Sequence, residues 1–593
     1  MAGEPTTTAR HEPAPMPVDE PATIPQRAHE PTPAADAMLR PRGRWWWVAA
    51  LGVAVVLSYA VRKADPDLWG HVRYGQLWLT EGVVTHDPFA YTTAGRTWIG
   101  HEIGAEIVSW WAYAWAGQVG LCVLKTAAGV TVAMLMWWAL PARVRRTWLG
   151  LTIWLVAVHT VALFLVVRPQ LFTYVFTAAT ALILFRHTLR PTRAVWCLPV
   201  LSVVWTNCHG GYVVLLGLVG LYLVGPWLYG FVGWWHGRRT SRAGPRAASP
   251  SCVAPCAVHD PEADPGIAVD DGPAAPRAST LAWVLAVCVV GTFVNPYGPK
   301  IWACLYNALT NPYTHDVIAE WRPIELFRAT RQEMLFLMLA LGLVVAMWGG
   351  VAWRRLAGGR NTQRTDAAGV VVCVVMAIMA IRSYRHIPLF AIVSAPWLLR
   401  WGHTAWLALA TRNAARARLF GPAVTLAALA SLLPTLIPTL ADPRPRLAHL
   451  KAMPVGAVRF MQNERISGNV YNPFGWGQYL IAHLYPQCRV AMDGRYDTVY
   501  AEREYVSNFA FIRNGDIGHA VEPPTDYILL AANGAANAAL AAHGGWTAIY
   551  EDDISRLWAR TQPLTDGPRY TASRGSRYAA SRRLGPLHDA GFP

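Results

Sequence analysis

"WWWVAALGVAVVLSYAVRKADPDLWGH", residues 45–71, sets a long apolar run directly against a short acidic cluster. The run over 45–61 is close to the length that crosses the hydrocarbon of a bilayer. Just beyond it stand Lys63, Asp65 and Asp67, with His71 one helical turn further on. Carboxylates at a membrane edge are costly unless they pair or act. The plainer reading is that Asp67 caps a helix starting at Leu68, because Asp favours that position. The sharper reading makes Asp65 or Asp67 a catalytic group, and the two are compatible. D-x-D with His71 could also hold a divalent cation through oxygens and one imidazole, a lesser reading because spacing alone supports it.

Working outward, the composition fits a polytopic membrane protein: 53% of the 593 residues are hydrophobic and only 15% are charged. The 29 tryptophans agree, since indole rings favour the interface. A net charge of +16 could suggest nucleic acid, but the arginines fall in short clusters between apolar runs, which is the pattern of positive-inside topology. No nucleic-acid partner is expected. The nine cysteines are scattered, and Cys252 and Cys256 have no second pair, so neither a disulfide framework nor a zinc site is expected.

About eleven apolar runs are candidate spans: 45–61, 120–140, 148–167, 171–185, 194–206, 212–235, 281–294, 333–352, 367–381, 388–406 and 419–440. The stretch 194–211 reads as a broken helix. With a cytoplasmic N-terminus every basic cluster falls on one side, including Arg143, Arg145 and Arg146, then Arg186, Arg190 and Arg193. Residues 1–44 read as a disordered cytoplasmic tail and 236–280 as a flexible cytoplasmic linker. "LSYA" at 57–60 loosely resembles a signal-peptidase site, but the long preceding tail favours an uncleaved anchor. The opposite face receives the first loop, 62–119, the turn "VRPQLF" at 167–172, "NCHGGY" at 207–212, the loop 295–332 and "RSYRHIP" at 382–388.

Residues 441–561 alternate strand-like and helix-like segments, from "SGNVYN" to "ISRLWAR", and read as a separate extracytoplasmic α/β domain. "MDGRYD", with Asp493, Arg495 and Asp497, reads as structural polarity at a strand end, with a sugar-binding role as the lesser reading; in a non-catalytic assembly protein it would be an exposed loop. The stretch 562–593 reads as a disordered tail. The fold class is therefore a polytopic α-helical membrane protein with a C-terminal α/β domain.

The first loop is the richest in chemistry. "HEIGAEIVSWWAYAWAG", residues 101–117, has its apolar and aromatic residues at helical spacing and suits a helix lying in the interface. It opens on His101 and Glu102, whose plain reading is a helix start with Glu in its first turn. Cations gather on the same face: Arg168 before a helix-interrupting Pro169, His209 in a glycine-flanked turn, and Arg382 and Arg385 beside His386. Planar guanidinium groups there suit phosphate, although any one of them could simply snorkel to headgroups.

This combination resembles the GT-C superfamily of multi-span glycosyltransferases, including the protein O-mannosyltransferase and aminoarabinose-transferase types. More closely, it looks like a broad group of bacterial polytopic membrane proteins of undefined chemistry that share "DPDLWGH", "THDPFAYT", "GHE", "RPQLFTY", "HGGY", "NPYG" and "NPFGWGQYL…MDGRYD". The likeness covers most of residues 60–560. The GT-C resemblance, carried by the first loop and the topology, implies transfer of a sugar from a polyprenyl-phosphate-linked donor to an extracytoplasmic glycan, lipid or protein acceptor, at the cell's inner membrane and mostly without metal. By the same resemblance Asp65 or Asp67 would be the general base, His101 and Glu102 would shape the site, and Arg168, Arg382 and Arg385 would meet the phosphate. Pro66 between the two aspartates leaves open which one corresponds to the family's carboxylate. The alternatives are a transporter or flippase of lipid-linked glycan, which would want a polar midplane path and often internal repeats, and a non-catalytic assembly protein.

Overall fold

The computed structural model describes residues 44–60, 65–141, 144–240, 275–310, 319–325, 330–356, 363–412, 414–433 and 453–561, with Gly3 and Ile437. Lys63, Cys252, Cys256, most of the N-terminal tail and of the linker, and the stretch 562–593 lie outside them.

Most of the end of the run 419–440 lies outside the described residues, and each apolar run expected from the sequence overlaps a helix. In chain order these are α1 (Arg44–Tyr59), α2 (Leu68–Glu81), α3 (Ile103–Ala139), α4 (Trp148–Phe164), α5 (Gln170–Leu189), α6 (Leu198–Thr206), α7 (Val213–Thr240), α8 (Ala275–Gly291), α9 (Lys300–Thr310), α10 (Arg331–Leu356), α11 (Gln363–Arg382), α12 (Ile387–Arg412) and α13 (Ala414–Ala430). Ile103–Ala139, Gln170–Leu189 and Gly210–Leu228 are long and apolar enough to cross a membrane by length and composition. The expected linker is shortened from both sides, because α7 runs on to Thr240 and α8 starts at Ala275.

Helix α3 joins two segments that the sequence separates. Ala116 (φ −148°) and Gly117 (φ +57°) leave helical geometry, and the left-handed angle at Gly117 costs little without a Cβ. Before the kink, Ala105, Glu106 and Ser109 are buried while Trp111 and Trp115 are 58% and 74% exposed. That is the two-sided pattern of an interfacial helix. After the kink the helix is mostly apolar, with Lys125 buried in it. The helices pack around a tryptophan-rich core, in which Trp205 donates to Thr173 at 3.0 Å and Trp397 to Tyr222 at 3.2 Å, so these two buried indole N–H groups are satisfied.

The C-terminal part begins with α14 (Val455–Asn463). A five-stranded sheet follows, in the order β2-β1-β3-β5-β4, from β1 (Gly468–Tyr471), β2 (Cys488–Val490), β3 (Tyr527–Ala531), β4 (Trp546–Glu551) and β5 (Ser555–Arg560). Between the strands lie α15 (Gly477–Leu484), α16 (Glu502–Asn514) and α17 (Ala535–His543). β1 runs parallel to β2 and β3, whereas β5 is antiparallel to β3 and β4.

This part is not separate from the first loop, as the sequence suggests. Leu68, Trp69, Tyr74, Phe89 and Trp98 of the loop share one hydrophobic core with Tyr479, Leu480, Tyr485 and Val490. The loop also covers the sheet edge: Val490 N–H donates to the Phe89 carbonyl at 3.1 Å and Tyr91 N–H to the Val490 carbonyl at 3.0 Å. An open edge strand would otherwise be free to pair with another chain.

Candidate functional site

Asp67 takes the position before α2, yet its side chain makes no capping hydrogen bond. Instead its N–H donates to Asp65 Oδ1 at 3.0 Å, which turns the two carboxyls toward one another. Asp65 Oδ2 meets Arg168 Nη1 at 3.1 Å. The same nitrogen donates to both oxygens of Glu320, at 3.0 and 3.2 Å. Burial would raise the Asp65 carboxyl, but Arg168, the Asp67 N–H and His71 outweigh it and hold it below the usual range. Asp67 goes the other way. Burial, the charge of Asp65 and that of Asp493 hold it well above the usual carboxylate range, with Arg168 and His71 only partly compensating. Two aspartates with one residue between them are thereby driven apart, one toward a fixed charge and the other toward a proton carrier.

A second set lies one turn further on. His71 Nδ1 is 3.1 Å from Glu106 Oε1 and 3.6 Å from Glu102 Oε2, and Trp78 Nε1 donates to Glu106 Oε2 at 2.5 Å. Against burial, Glu106 and Glu102 raise His71, and Glu102 raises His101 to about 10. Glu102 is lowered, because His101, His71 and His209 outweigh its burial. His209 differs from its neighbours. Its Nδ1 accepts the Gly211 N–H at 2.9 Å, so the neutral ring carries its proton on Nε2, 3.6 Å from Glu102 Oε1. Burial lowers its pKa to about 3, aided by Arg385 and His101.

Among the described residues, His71, Glu102 and Glu106 are the set with the spacing to hold a divalent cation, their ligand atoms lying within 4.8 Å of one another. The trio weighed from the sequence differs: the Asp65 carboxylate is engaged by Arg168 rather than converging with His71.

These groups line a cavity of about 420 Å³, with Asp67, His101, Glu102, Arg168, His209, Glu320 and Arg385 around it. Its lining also carries the apolar side chains of Val213, Val214, Ile301, Leu305, Leu309 and Leu389. The Arg385 guanidinium stacks on Trp321, 4.5 Å from the ring centroid, and no ion pair holds it among the described residues. Burial and Arg168 lower its pKa. Arg382, expected beside it, is exposed at the end of α11 and does not line the cavity. The intervening turn faces the two arginines in different directions.

The third wall comes from the C-terminal part. Asp493 and Arg495 of "MDGRYD" are buried rather than on an exposed loop, at 0% and 6% exposure, and the Asp497 side chain lies outside the described residues. Arg495 grips Asp493 through Nε at 2.8 Å and Nη2 at 2.7 Å, and reaches Asp87 of the first loop through Nη1 at 2.6 Å. Tyr500 donates to Asp493 at 2.6 Å. This network seats Gly494 directly against Asp67, where a Cβ would stand 2.2 Å from Asp67 Oδ1. Only glycine allows that approach.

Glu106, Glu320 and Gly494 are missed by sequence reasoning. Glu106 has one usable signal, an acid set i+4 from Glu102 within an apolar helix face. Glu320 and Gly494 have none, since loop position and non-local packing bring them in.

No family model matches the chain, and no curated protein matches it. Solved structures with a similar overall shape exist. The Archaeoglobus fulgidus oligosaccharyltransferase in the apo form is 13% identical, with a TM-score of 0.49 over 88% of this chain and 75% of that one. ArnT from Cupriavidus metallidurans, bound to undecaprenyl phosphate, is 12% identical, with a TM-score of 0.44 over 87% of this chain and 98% of that one. The arabinofuranosyltransferase AftD from Mycobacteria is 12% identical, with a TM-score of 0.47 over 88% of this chain and 42% of that one. These are likenesses of shape, and the chemistry is read from the cavity itself.

Proposed function

We propose that the chain is a membrane glycosyltransferase that moves a sugar from a polyprenyl-phosphate-linked donor to a hydroxyl of an extracytoplasmic acceptor. The observation that carries the reading is the mixed lining of the cavity. It brings together a guanidinium with no ion-pair partner among the described residues, a carboxyl of raised pKa and a set of aliphatic side chains, which suits a ligand with a phosphate head and an isoprenoid tail. In this reading the chain crosses the inner membrane about eleven times, with its N-terminus cytoplasmic and the cavity and C-terminal part on the far side.

Asp67 is the general base. Deprotonated, it takes the proton of the acceptor hydroxyl as that oxygen attacks the anomeric carbon. The bond from the anomeric carbon to the phosphate oxygen breaks, and the electron pair leaves with the lipid phosphate. Arg385 meets the developing charge, and Arg168 reinforces it. Asp65 and Glu320 fix Arg168 in place. Glu102, with His71, His101 and His209 around it, shapes the wall where the sugar hydroxyls lie. The carboxylate partners of Arg168 make it a weaker phosphate ligand than Arg385.

The test is the pool of lipid-linked sugars in membrane extracts of cells lacking the chain. One polyprenyl-phosphate sugar is expected to accumulate and to return to its normal level with the wild-type chain but not with Asp67→Asn. An unchanged pool contradicts the reading.

A further inference from the structure

A second cavity, of about 290 Å³, lies near the end of α3 remote from Glu102 and Glu106. It is a groove between α1, α3 and α4. Val130, Met134 and Trp137 line it at successive helical turns, presenting an apolar face about 10 Å long at the helical rise per residue. Trp154 also lines it, but its Nε1 is spent on the Ala133 carbonyl at 2.9 Å, so the groove stays apolar. Val56 and Met134 are exposed, which leaves the groove open at the side.

Two arginines stand against tryptophans that line the groove. Arg145 Cζ stands 5.5 Å from the ring centroid of Trp137, and Arg186 Nη2 donates to the Trp138 carbonyl at 3.1 Å. Arg146 follows directly. Their charges depress one another at Arg145, on top of its burial. Among the described residues no carboxylate pairs with any of the three, and Arg145 Nε is buried without a hydrogen-bond partner. A buried donor left unmet in a native structure calls for a ligand or water.

We propose that this groove binds one anionic phospholipid, with its phosphate at Arg145 and Arg186 and an acyl chain along the face from Val130 to Trp137. Basic clusters beside apolar helix faces at the membrane surface recognise such headgroups. The site is remote from the donor cavity along α3 and does not depend on the function proposed above.

The test is retention of lipid by the purified full chain, read by native mass spectrometry during titration with phosphatidylglycerol and, separately, phosphatidylcholine. The wild type is expected to hold one phosphatidylglycerol more tightly than phosphatidylcholine. Arg145→Gln with Arg186→Gln should weaken that binding about 30-fold, the loss of two surface cation–lipid interactions. The corresponding double lysine variant keeps the charge and should keep most of the binding, which separates lost charge from misfolding. Val56→Trp, which fills the groove without touching the arginines, should also release the lipid, whereas excess inorganic phosphate should not. Equal retention of the two lipids, or of phosphatidylglycerol by wild type and the glutamine variant, overturns the site. Full retention by Val56→Trp would reduce it to diffuse surface attraction and overturn the groove.

Discussion

Arg168 Nη1 stands 3.1 Å from Asp65 Oδ2, so the guanidinium at the Pro169 break claims the first aspartate of the pair and leaves the second facing the cavity. The division of labour in the account follows from that contact. A carboxylate locked to an arginine is a poor proton acceptor. One that is buried beside two like charges is a better base once ionised.

Asp67→Asn should therefore lower the rate of sugar transfer about 100- to 10,000-fold, the usual worth of a general base. Asp65→Asn should lower it less, because it acts by loosening Arg168. Expression and melting temperature report whether either variant still folds. Comparable losses in both single variants would remove the distinction between them.

The pH dependence follows from the sign of the shift. A base works only when deprotonated, so the rate falls as pH drops through its pKa. Asp67 is held well above the usual range, so the acid limb of kcat/KM should lie clearly above the pH of about 4 expected for a solvated Asp. Arg168 lowers the pKa of Asp67, so Arg168→Ala should move that limb to higher pH. A limb at the ordinary position would mean that another group is titrating.

Arg385→Ala should raise the KM for donor about 10- to 100-fold, the cost of one charged hydrogen bond to phosphate. Arg385→Lys should fall between, since it keeps the charge without the planar fork. Arg382→Ala is the internal control and should match wild type, because that side chain points away from the cavity. Steady-state kinetics at varied donor concentration check all three.

The sequence carries much of this site, but only where the chemistry is local. Asp67 stands out because it follows an apolar run, and His101 and Glu102 because they open a helix with an apolar and aromatic face. Arg168 stands out because proline interrupts the helix beside it. Arg382 and Arg385 could not be separated by spacing, since the chain leaves α11 between them and only Arg385 turns inward. The long helices were legible from apolar length and the strands of the C-terminal part from their alternation with helical segments, whereas α9 lies in a stretch that reads as a loop. Its union with the first loop was not: Arg495 and Asp87 lie 408 residues apart, and nothing near either one announces the other. "MDGRYD" reads as a polar turn until its partners are known.

That union makes its own prediction. Arg495 and its two carboxylate partners are almost fully buried, so Arg495→Ala leaves both acids uncompensated and should cost about 3–5 kcal/mol. A thermal melt of the purified protein should show the unit of first loop and C-terminal part loosening. Asp67 should lose its Gly494 wall at the same time. An unchanged melt with unchanged transfer would mean that the clamp is dispensable.

The most direct measurement uses the purified chain in lipid vesicles with polyprenyl-phosphate carrying a radiolabelled sugar, prepared from the cell's own lipid extract. The account predicts cleavage of the sugar–phosphate bond, release of polyprenyl phosphate and transfer of label to acceptor, all lost in Asp67→Asn. Movement of the intact labelled lipid across the vesicle with no cleavage, equally in wild type and Asp67→Asn, would contradict it.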